Sequence, residues 1–139
     1  MIVLDTNVVS ELMKGEPDEA VSRWIAGQPA ASLYTTSITQ AEILYGIQRL
    51  SGGKRRSALQ AAADAMFNED LAGRVLAFGS EAARAYANIV ASRMGAGRPM
   101  SQFDAQIAAI VLVERATLAT RNLSDYEGCG VKLIDPWND

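Results

Sequence analysis

The chain opens with Met1-Ile2-Val3-Leu4-Asp5-Thr6-Asn7, and this stretch decides the fold class. Three consecutive apolar residues, two of them β-branched, are typical of a short strand that is buried on both faces. The apolar run stops at Asp5. Because open α/β sheets bind ligands just beyond the carboxyl ends of their strands, we expect Asp5 at such a ligand-binding edge. The same carboxylate could instead cap the helix that follows, and the stretch by itself favours neither role.

Strand and helix patterns alternate along the rest of the chain. Further strands are predicted at 32–36, 74–78, 117–120 and 131–134, and helices at 8–13, 17–27, 37–50, 54–69, 80–94 and 101–115. This alternation is typical of a parallel sheet with helices on both faces. We therefore expect one α/β domain over residues 1–139, with three layers (α/β/α) around a central, mostly parallel sheet of about five strands.

The residue types that the chain lacks exclude several chemistries. It has 139 residues, no histidine and a single cysteine, Cys129, with a net charge of −3. A Ser-His-Asp triad, a His-ligated zinc site, a thiolate zinc site and an intrachain disulfide are therefore all excluded. Any catalysis must use carboxylates, hydroxyls, amides, lysine or arginine, and carboxylates suit hard cations such as Mg²⁺ and Mn²⁺.

The apolar segments predict neither a membrane span nor a targeting segment. No apolar run approaches the roughly 20 residues that a transmembrane helix needs. Met1 leads directly into the first strand without a basic segment or cleavage site, so no signal peptide is expected. We expect a cytoplasmic protein that does not associate with membranes.

Four acidic residues stand where strands end or helices begin: Asp5, Glu42, Asp104 and Asp125. Two of them also have a structural explanation, because Thr39-Gln-Ala-Glu42 and Ser101-Gln-Phe-Asp104 match the capping box, in which a first-turn carboxylate bonds free backbone donors. If the fold gathers these acids without a counter-ion, they repel one another and their pKa values rise. A divalent cation removes that cost, and Mg²⁺ bound by carboxylates suits phosphodiester hydrolysis.

Four motifs in this order resemble the PIN-domain ribonucleases, specifically the VapC-type toxins of bacterial type II toxin–antitoxin pairs and, among these, the FitB-like group. The resemblance covers nearly the whole chain. The motifs are the opening Met1-Ile-Val-Leu-Asp5-Thr6-Asn7, then Ser37-Ile-Thr-Gln-Ala-Glu42-Ile-Leu-Tyr-Gly46, then Phe103-Asp104-Ala-Gln-Ile-Ala-Ala109, and last Leu118-Ala-Thr120-Arg121-Asn122 followed by Asp125-Tyr126.

The resemblance implies a PIN-like fold and a Mg²⁺- or Mn²⁺-dependent endoribonuclease that acts as a toxin. Asp5, Glu42 and Asp104 match the metal-binding, catalytic acids of the family. The matching polar positions, which would place substrate or site groups, are Thr6, Asn7, Thr120 and Asn122. Many members carry a fourth acid near the fourth strand. Here Asn122 occupies the strand tip and Asp125 follows three residues later, so either could fill that position.

Positive charge for an RNA substrate has several candidate sources: Arg49 with the run Lys54-Arg55-Arg56, Arg98, and Arg121. Arg121 stands beside the predicted site and is the better candidate for a substrate contact. The run Lys54-Arg55-Arg56 could also bind nucleic acid, but a solvated helix start is the better explanation of it.

The resemblance further implies partners. These are a homodimer, a VapB-like antitoxin encoded beside the toxin, a toxin–antitoxin hetero-oligomer, and operator DNA contacted only through the antitoxin. Two other functions remain open: a catalytically inactive PIN-like binding or regulatory module, and a phosphatase that forms an aspartyl-phosphate. The phosphatase is disfavoured because such enzymes usually need a second Asp two residues after the first, where this chain has Asn7.

Overall fold

A computed structural model describes residues 1–139, and its centre is a sheet of five short strands. The strands are β1 (Ile2–Leu4), β2 (Leu33–Thr36), β3 (Val75–Leu76), β4 (Thr117–Ala119) and β5 (Lys132–Ile134). They lie in the order β3-β2-β1-β4-β5, and every pairing is parallel. The predicted parallel sheet is confirmed, with the opening stretch of the chain as its central strand.

Six helices connect the strands: α1 (Thr6–Leu12), α2 (Glu19–Ala26), α3 (Ser37–Gln48), α4 (Lys54–Ala65), α5 (Ser80–Gly95) and α6 (Gln102–Val113). Short 3-10 helices span Ala30–Ser32 and Leu123–Tyr126, and a π-helical turn spans Met66–Asp70. None of the helices is both long and apolar enough to cross a membrane.

The helices cover both faces of the sheet. Successive side chains of a strand point to opposite faces, so neighbouring residues pack against different helices. Val3 of β1 and Leu118 of β4 pack with the buried residues of α5 and α6. The next residues in the two strands, Leu4 and Ala119, pack instead with buried residues of α1 to α4. The result is the predicted three-layer α/β/α arrangement.

Several predicted elements differ by a few residues from the observed ones, among them the third strand and the first helix. The strand predicted at 74–78 contains only Val75–Leu76, because Leu76 pairs with Thr36, the last residue of β2, and the chain beyond it has no strand to pair with. The helix predicted at 8–13 begins two residues earlier, at Thr6, directly after Asp5. The first helix therefore starts at the sheet edge itself.

We propose that residues 1–139 unfold as one domain, and Ile107 offers a test. Ile107 is fully buried on the α5–α6 face, whereas Trp24 and Trp137 pack on the opposite face. Ile107→Ala is expected to lower the free energy of unfolding by about 2–5 kcal/mol. In urea unfolding, tryptophan fluorescence and far-UV circular dichroism should show the same shift of midpoint.

The control for this experiment is Leu112→Ala in the same helix, where the side chain is 36% exposed and the cost should be much smaller. A tryptophan transition that keeps its wild-type midpoint in Ile107→Ala would reveal two independent units.

Candidate active site

The carboxyl ends of β1 and β4 bring Asp5 and Thr120 together. Because the strands are parallel, the residues that follow them lie along one edge of the sheet. The Asp5 amide donates to the Ala119 carbonyl at 2.9 Å, and the Thr120 amide donates to the Ile134 carbonyl at 2.9 Å. The two polar side chains are thus fixed at this edge by the sheet itself.

Asp5 has both of the roles that its sequence position allows. It is the N-cap of α1, where its Oδ1 accepts from the Thr6 amide at 2.8 Å. Its Oδ2 accepts from the Thr120 hydroxyl at 2.8 Å and from the Asn7 side-chain amide at 3.2 Å. Only 4% of Asp5 is exposed. Burial raises the pKa of Asp5 and the charge of Asp104 adds to the rise, whereas the hydrogen bonds from Thr120 and Thr6 lower it.

Glu42 accepts a hydrogen bond from one threonine hydroxyl, and the capping box predicted for it is wrong. Thr36, the last residue of β2, caps α3 through its hydroxyl, which accepts from the Thr39 amide at 3.1 Å. Glu42 therefore lies in the second turn of the helix, beyond the reach of a capping box. Its Oε1 accepts from the Thr6 hydroxyl at 2.8 Å, and the Thr6 and Thr39 hydroxyl oxygens are 3.0 Å apart.

The electrostatic setting of Glu42 resembles that of Asp5. Burial raises the pKa of Glu42, and the negative charges of Asp5 and Asp104 raise it further, against the hydrogen bond from Thr6. The three acids are therefore close enough to interact electrostatically.

Asp104 lies in the first turn of α6, as predicted, and half of its capping box is present. The Asp104 amide donates to the Ser101 hydroxyl at 3.1 Å. The Asp104 carboxylate, however, faces the sheet edge, where its Oδ1 accepts from the Tyr126 hydroxyl at 3.0 Å. A capping role explains the Ser101 side chain but not the position of this carboxylate.

Tyr126 is a site residue that the sequence reasoning missed. Its hydroxyl lies 3.3 Å from each carboxylate oxygen of Asp5 as well as 3.0 Å from Asp104. Burial raises the pKa of Tyr126, and the charges of Asp5 and Asp104 raise it further, so the phenol keeps its proton and acts as a donor. The available signal was a tyrosine placed shortly after a buried strand, since a buried phenol needs a hydrogen-bond partner.

The other polar positions connect the segment after β4 to this edge. The Asn7 side-chain oxygen accepts from the Arg121 amide at 3.1 Å. The Thr120 hydroxyl accepts from the Asn122 amide at 3.1 Å. Asn122 thus participates through its backbone, and its side chain makes no hydrogen bond in the structure.

Asp125 and Arg121 lie at the periphery of the acidic site. Asp125 is exposed, and its carboxylate makes no hydrogen bond to any other site residue. The Arg121 guanidinium carbon lies 4.9 Å from the centre of the Trp137 ring, so the ring holds this exposed cation beside the edge. The catalytic role of Asp125 stays a prediction, and Asn122 and Asp125 remain alternatives for the fourth position.

A groove of about 360 Å³ adjoins the site on the α3 side. Thr6 and Glu42 line it together with other polar residues, and its apolar lining includes Ile43, Ile47 and Leu59. Of the basic run 54–56, only Arg55 lines this groove, whereas Arg56 donates to the Gln48 side chain at 2.7 Å.

The chemistry of the donor atoms fits a hard divalent cation. The structure contains two ion pairs, Lys14–Glu11 and Arg98–Glu127, so no basic side chain is paired with the three site acids. Their neighbours are hydroxyls and amides, which leaves the charge of a partly buried carboxylate cluster uncompensated. As the side chains stand, no three acids are grouped around one point; the Tyr126 and Thr6 hydroxyls bond to their oxygens instead.

Comparisons with known proteins agree with the fold and the motifs. A family model described as "PIN domain" matches residues 2–124. The chain is 42% identical over 137 residues to VapC ribonuclease Y4jK of Sinorhizobium fredii, covering 99% of this chain and 98% of that protein. It is 32% identical over 139 residues to toxin FitB of Neisseria gonorrhoeae, covering 100% of each.

A solved structure supports the same assignment. The structure of FitAB bound to an IR36 DNA fragment contains a chain that is 32% identical to this one, with a TM-score of 0.91 over 99% of this chain and 96% of that chain. The chain therefore belongs to the PIN-domain family, among relatives that are named VapC and FitB.

Proposed function

We propose that the protein is a divalent-metal-dependent endoribonuclease that acts as the toxin of a type II toxin–antitoxin pair. One observation carries the proposal: Asp5, Glu42 and Asp104 come from distant parts of the sequence, yet shared hydrogen-bond donors join them at the carboxyl edge of the sheet, with no basic partner. The relative named VapC ribonuclease Y4jK supports the substrate, and the relative named toxin FitB supports the biological role.

Asp5, Glu42 and Asp104 would hold the cation, which is Mg²⁺ or Mn²⁺ by the preference of these ions for carboxylate oxygens. When bound, such a cation polarises the phosphodiester and makes water a better nucleophile near neutral pH. The residues around the acids have supporting roles. Thr120 and Asn7 orient the Asp5 carboxylate, and Thr6 orients that of Glu42.

Two arginine side chains would bind RNA phosphates near the acids. Arg121 lies on the Trp137 ring beside the sheet edge, and Arg55 lines the groove that contains Glu42. Contacts of this kind with the phosphate backbone supply affinity that falls as the salt concentration rises. They favour a substrate strand that runs past the acids between these two residues.

We infer that the partners are a second copy of the chain and a VapB-like antitoxin, with operator DNA contacted through the antitoxin. The FitAB structure with bound DNA supports this assembly. An antitoxin segment can cover the site through the apolar groove lined by Ile43, Ile47 and Leu59, since an amphipathic segment binds such a groove by its apolar face.

The two alternative functions have less support. A phosphatase that forms an aspartyl-phosphate at Asp5 is disfavoured because Asn7 donates to the Asp5 carboxylate, whereas the second position of such enzymes is an acid. An inactive binding module is disfavoured because all three acids are present and interact. Trapping of a beryllofluoride adduct on Asp5 would revive the phosphatase.

Asp104→Asn tests the proposed chemistry most simply. The change keeps the Asp104 amide that bonds to Ser101, so α6 retains its cap. It removes one negative charge from the proposed cation site, and the rate of RNA cleavage is expected to fall by at least about 100-fold. Cleavage of a labelled RNA in Mg²⁺ measures the loss, and circular dichroism checks the fold.

The matched control is Glu114→Gln at the other end of the same helix, which should cleave RNA at the wild-type rate. Undiminished cleavage by Asp104→Asn, or wild-type cleavage that persists in EDTA, would contradict the proposal.

Glu42→Gln tests the electrostatic account through stability. The pKa of Glu42 is raised in the folded, metal-free protein. At a pH just above the ordinary glutamate pKa, the folded protein therefore still holds the Glu42 proton, whereas the unfolded chain has released it. The stability of the metal-free protein therefore falls as the pH rises through the raised value. Gln retains the oxygen that accepts from Thr6 but does not titrate, so the variant in EDTA should lose less stability over that window.

Thermal unfolding in EDTA at a series of pH values measures this difference, with Glu114→Gln as the control. If Glu42→Gln and the wild type lose the same stability over this pH range, the surroundings of Glu42 do not raise its pKa and the electrostatic account is wrong.

A further inference from the structure

The loop that carries Tyr126 is fixed by a buried arginine. Arg93 of α5 is only 7% exposed and has no carboxylate partner. Its Nη1 donates to the carbonyls of Asp125 at 3.2 Å and Glu127 at 2.7 Å, and its Nε donates to the Arg98 carbonyl at 2.7 Å. Because Asp125 and Glu127 flank Tyr126, the guanidinium fixes the backbone on both sides of that residue.

The ring of Tyr126 is fixed as firmly as its backbone. The residue is 1% exposed and belongs to the core formed by β1, β4, α5 and α6. A buried aromatic side chain has few torsions, so the ring and the backbone together determine the position of the hydroxyl. The position of this donor therefore does not depend on the two acids that it contacts, Asp5 after β1 and Asp104 in α6.

The hydroxyl lies between the two carboxylates. It is 3.0 Å from Asp104 Oδ1 and 3.3 Å from each oxygen of Asp5, so three acceptor atoms compete for one proton. Two carboxylates without a counter-ion would otherwise move apart. A fixed donor between them offsets part of their repulsion, and it leaves the second oxygen of Asp104 without a hydrogen bond.

We propose that Tyr126 is a further positioning residue of this site, whose hydroxyl sets the placement of the Asp5 and Asp104 carboxylates that bind the divalent cation. The inference rests on the proposed function. Carboxylate ligands are generally oriented by hydrogen bonds from surrounding groups, and loss of such a group weakens metal binding or activity by about 10–100-fold. Two competing roles predict other results when the hydroxyl is removed. If the ring only fills the core, the affinity for the cation stays the same. If the hydroxyl blocks the cation, the affinity rises.

The test is a calorimetric titration of the full chain with Mn²⁺ in the absence of RNA, for wild type and Tyr126→Phe. Phe keeps the buried ring and removes only the hydroxyl. The variant is expected to bind Mn²⁺ at least about 10-fold more weakly than the wild type. Tyr86→Phe is the matched control, because Tyr86 packs edge-on against Phe78 beside the same core and its hydroxyl has no hydrogen bond.

A second readout separates positioning from general damage. In Tyr126→Phe, the Mn²⁺ concentration that gives half-maximal RNA cleavage should rise by the same factor, while the rate at saturating Mn²⁺ changes much less. Equal or tighter Mn²⁺ binding by Tyr126→Phe would overturn the inference and leave the proposed function standing. Failure of the wild-type chain to bind Mn²⁺ at all would overturn the proposed function and, with it, this inference.

Discussion

The carboxylate of Asp5 is buried at the end of the central strand, and the surrounding structure supplies its hydrogen bonds from three separate segments. The start of α1 contributes the Thr6 amide and the Asn7 side chain, the end of β4 contributes Thr120, and the following 3-10 helix contributes Tyr126. Burial of an ionised carboxylate is costly unless it is paired. Neutral donors offset part of that cost but bring no positive charge. A bound divalent cation would supply the positive charge that offsets the rest.

The topology of the sheet brings these groups together. β1 and β4 are neighbours, so the residues that follow them meet at one edge. α3 and α6 begin near that edge and add Glu42 and Asp104. Thr36 caps α3, and this start of the helix places Thr39 and Glu42 within reach of the Thr6 hydroxyl. The capping of α3 thus also determines where Glu42 lies in the site.

The sequence predicted the layers, the parallel strands and the three central acids, because these depend on patterns that are local or carried by the family motifs. The short extent of β3 was not predictable, since it is set by the pairing of Leu76 with Thr36 across the sheet. The capping box at Glu42 failed because a strand residue, Thr36, caps the helix in its place. The roles of Tyr126 and Arg93 depend on contacts between residues that are distant in sequence, so the position of Tyr126 after a buried strand indicated a buried phenol but not its acidic partners.

The central claim is that buried Asp5 and the partly buried Glu42 and Asp104 form the binding site of a divalent cation. The most direct measurement is anomalous diffraction from crystals of the full chain grown with Mn²⁺. The account predicts that the strongest anomalous peak lies in direct contact with an Asp5 oxygen, with Asp104 or Glu42 as a further ligand. A map with no peak at Asp5, or with its strongest peak at a peripheral acid such as Glu11 or Glu127, would contradict it.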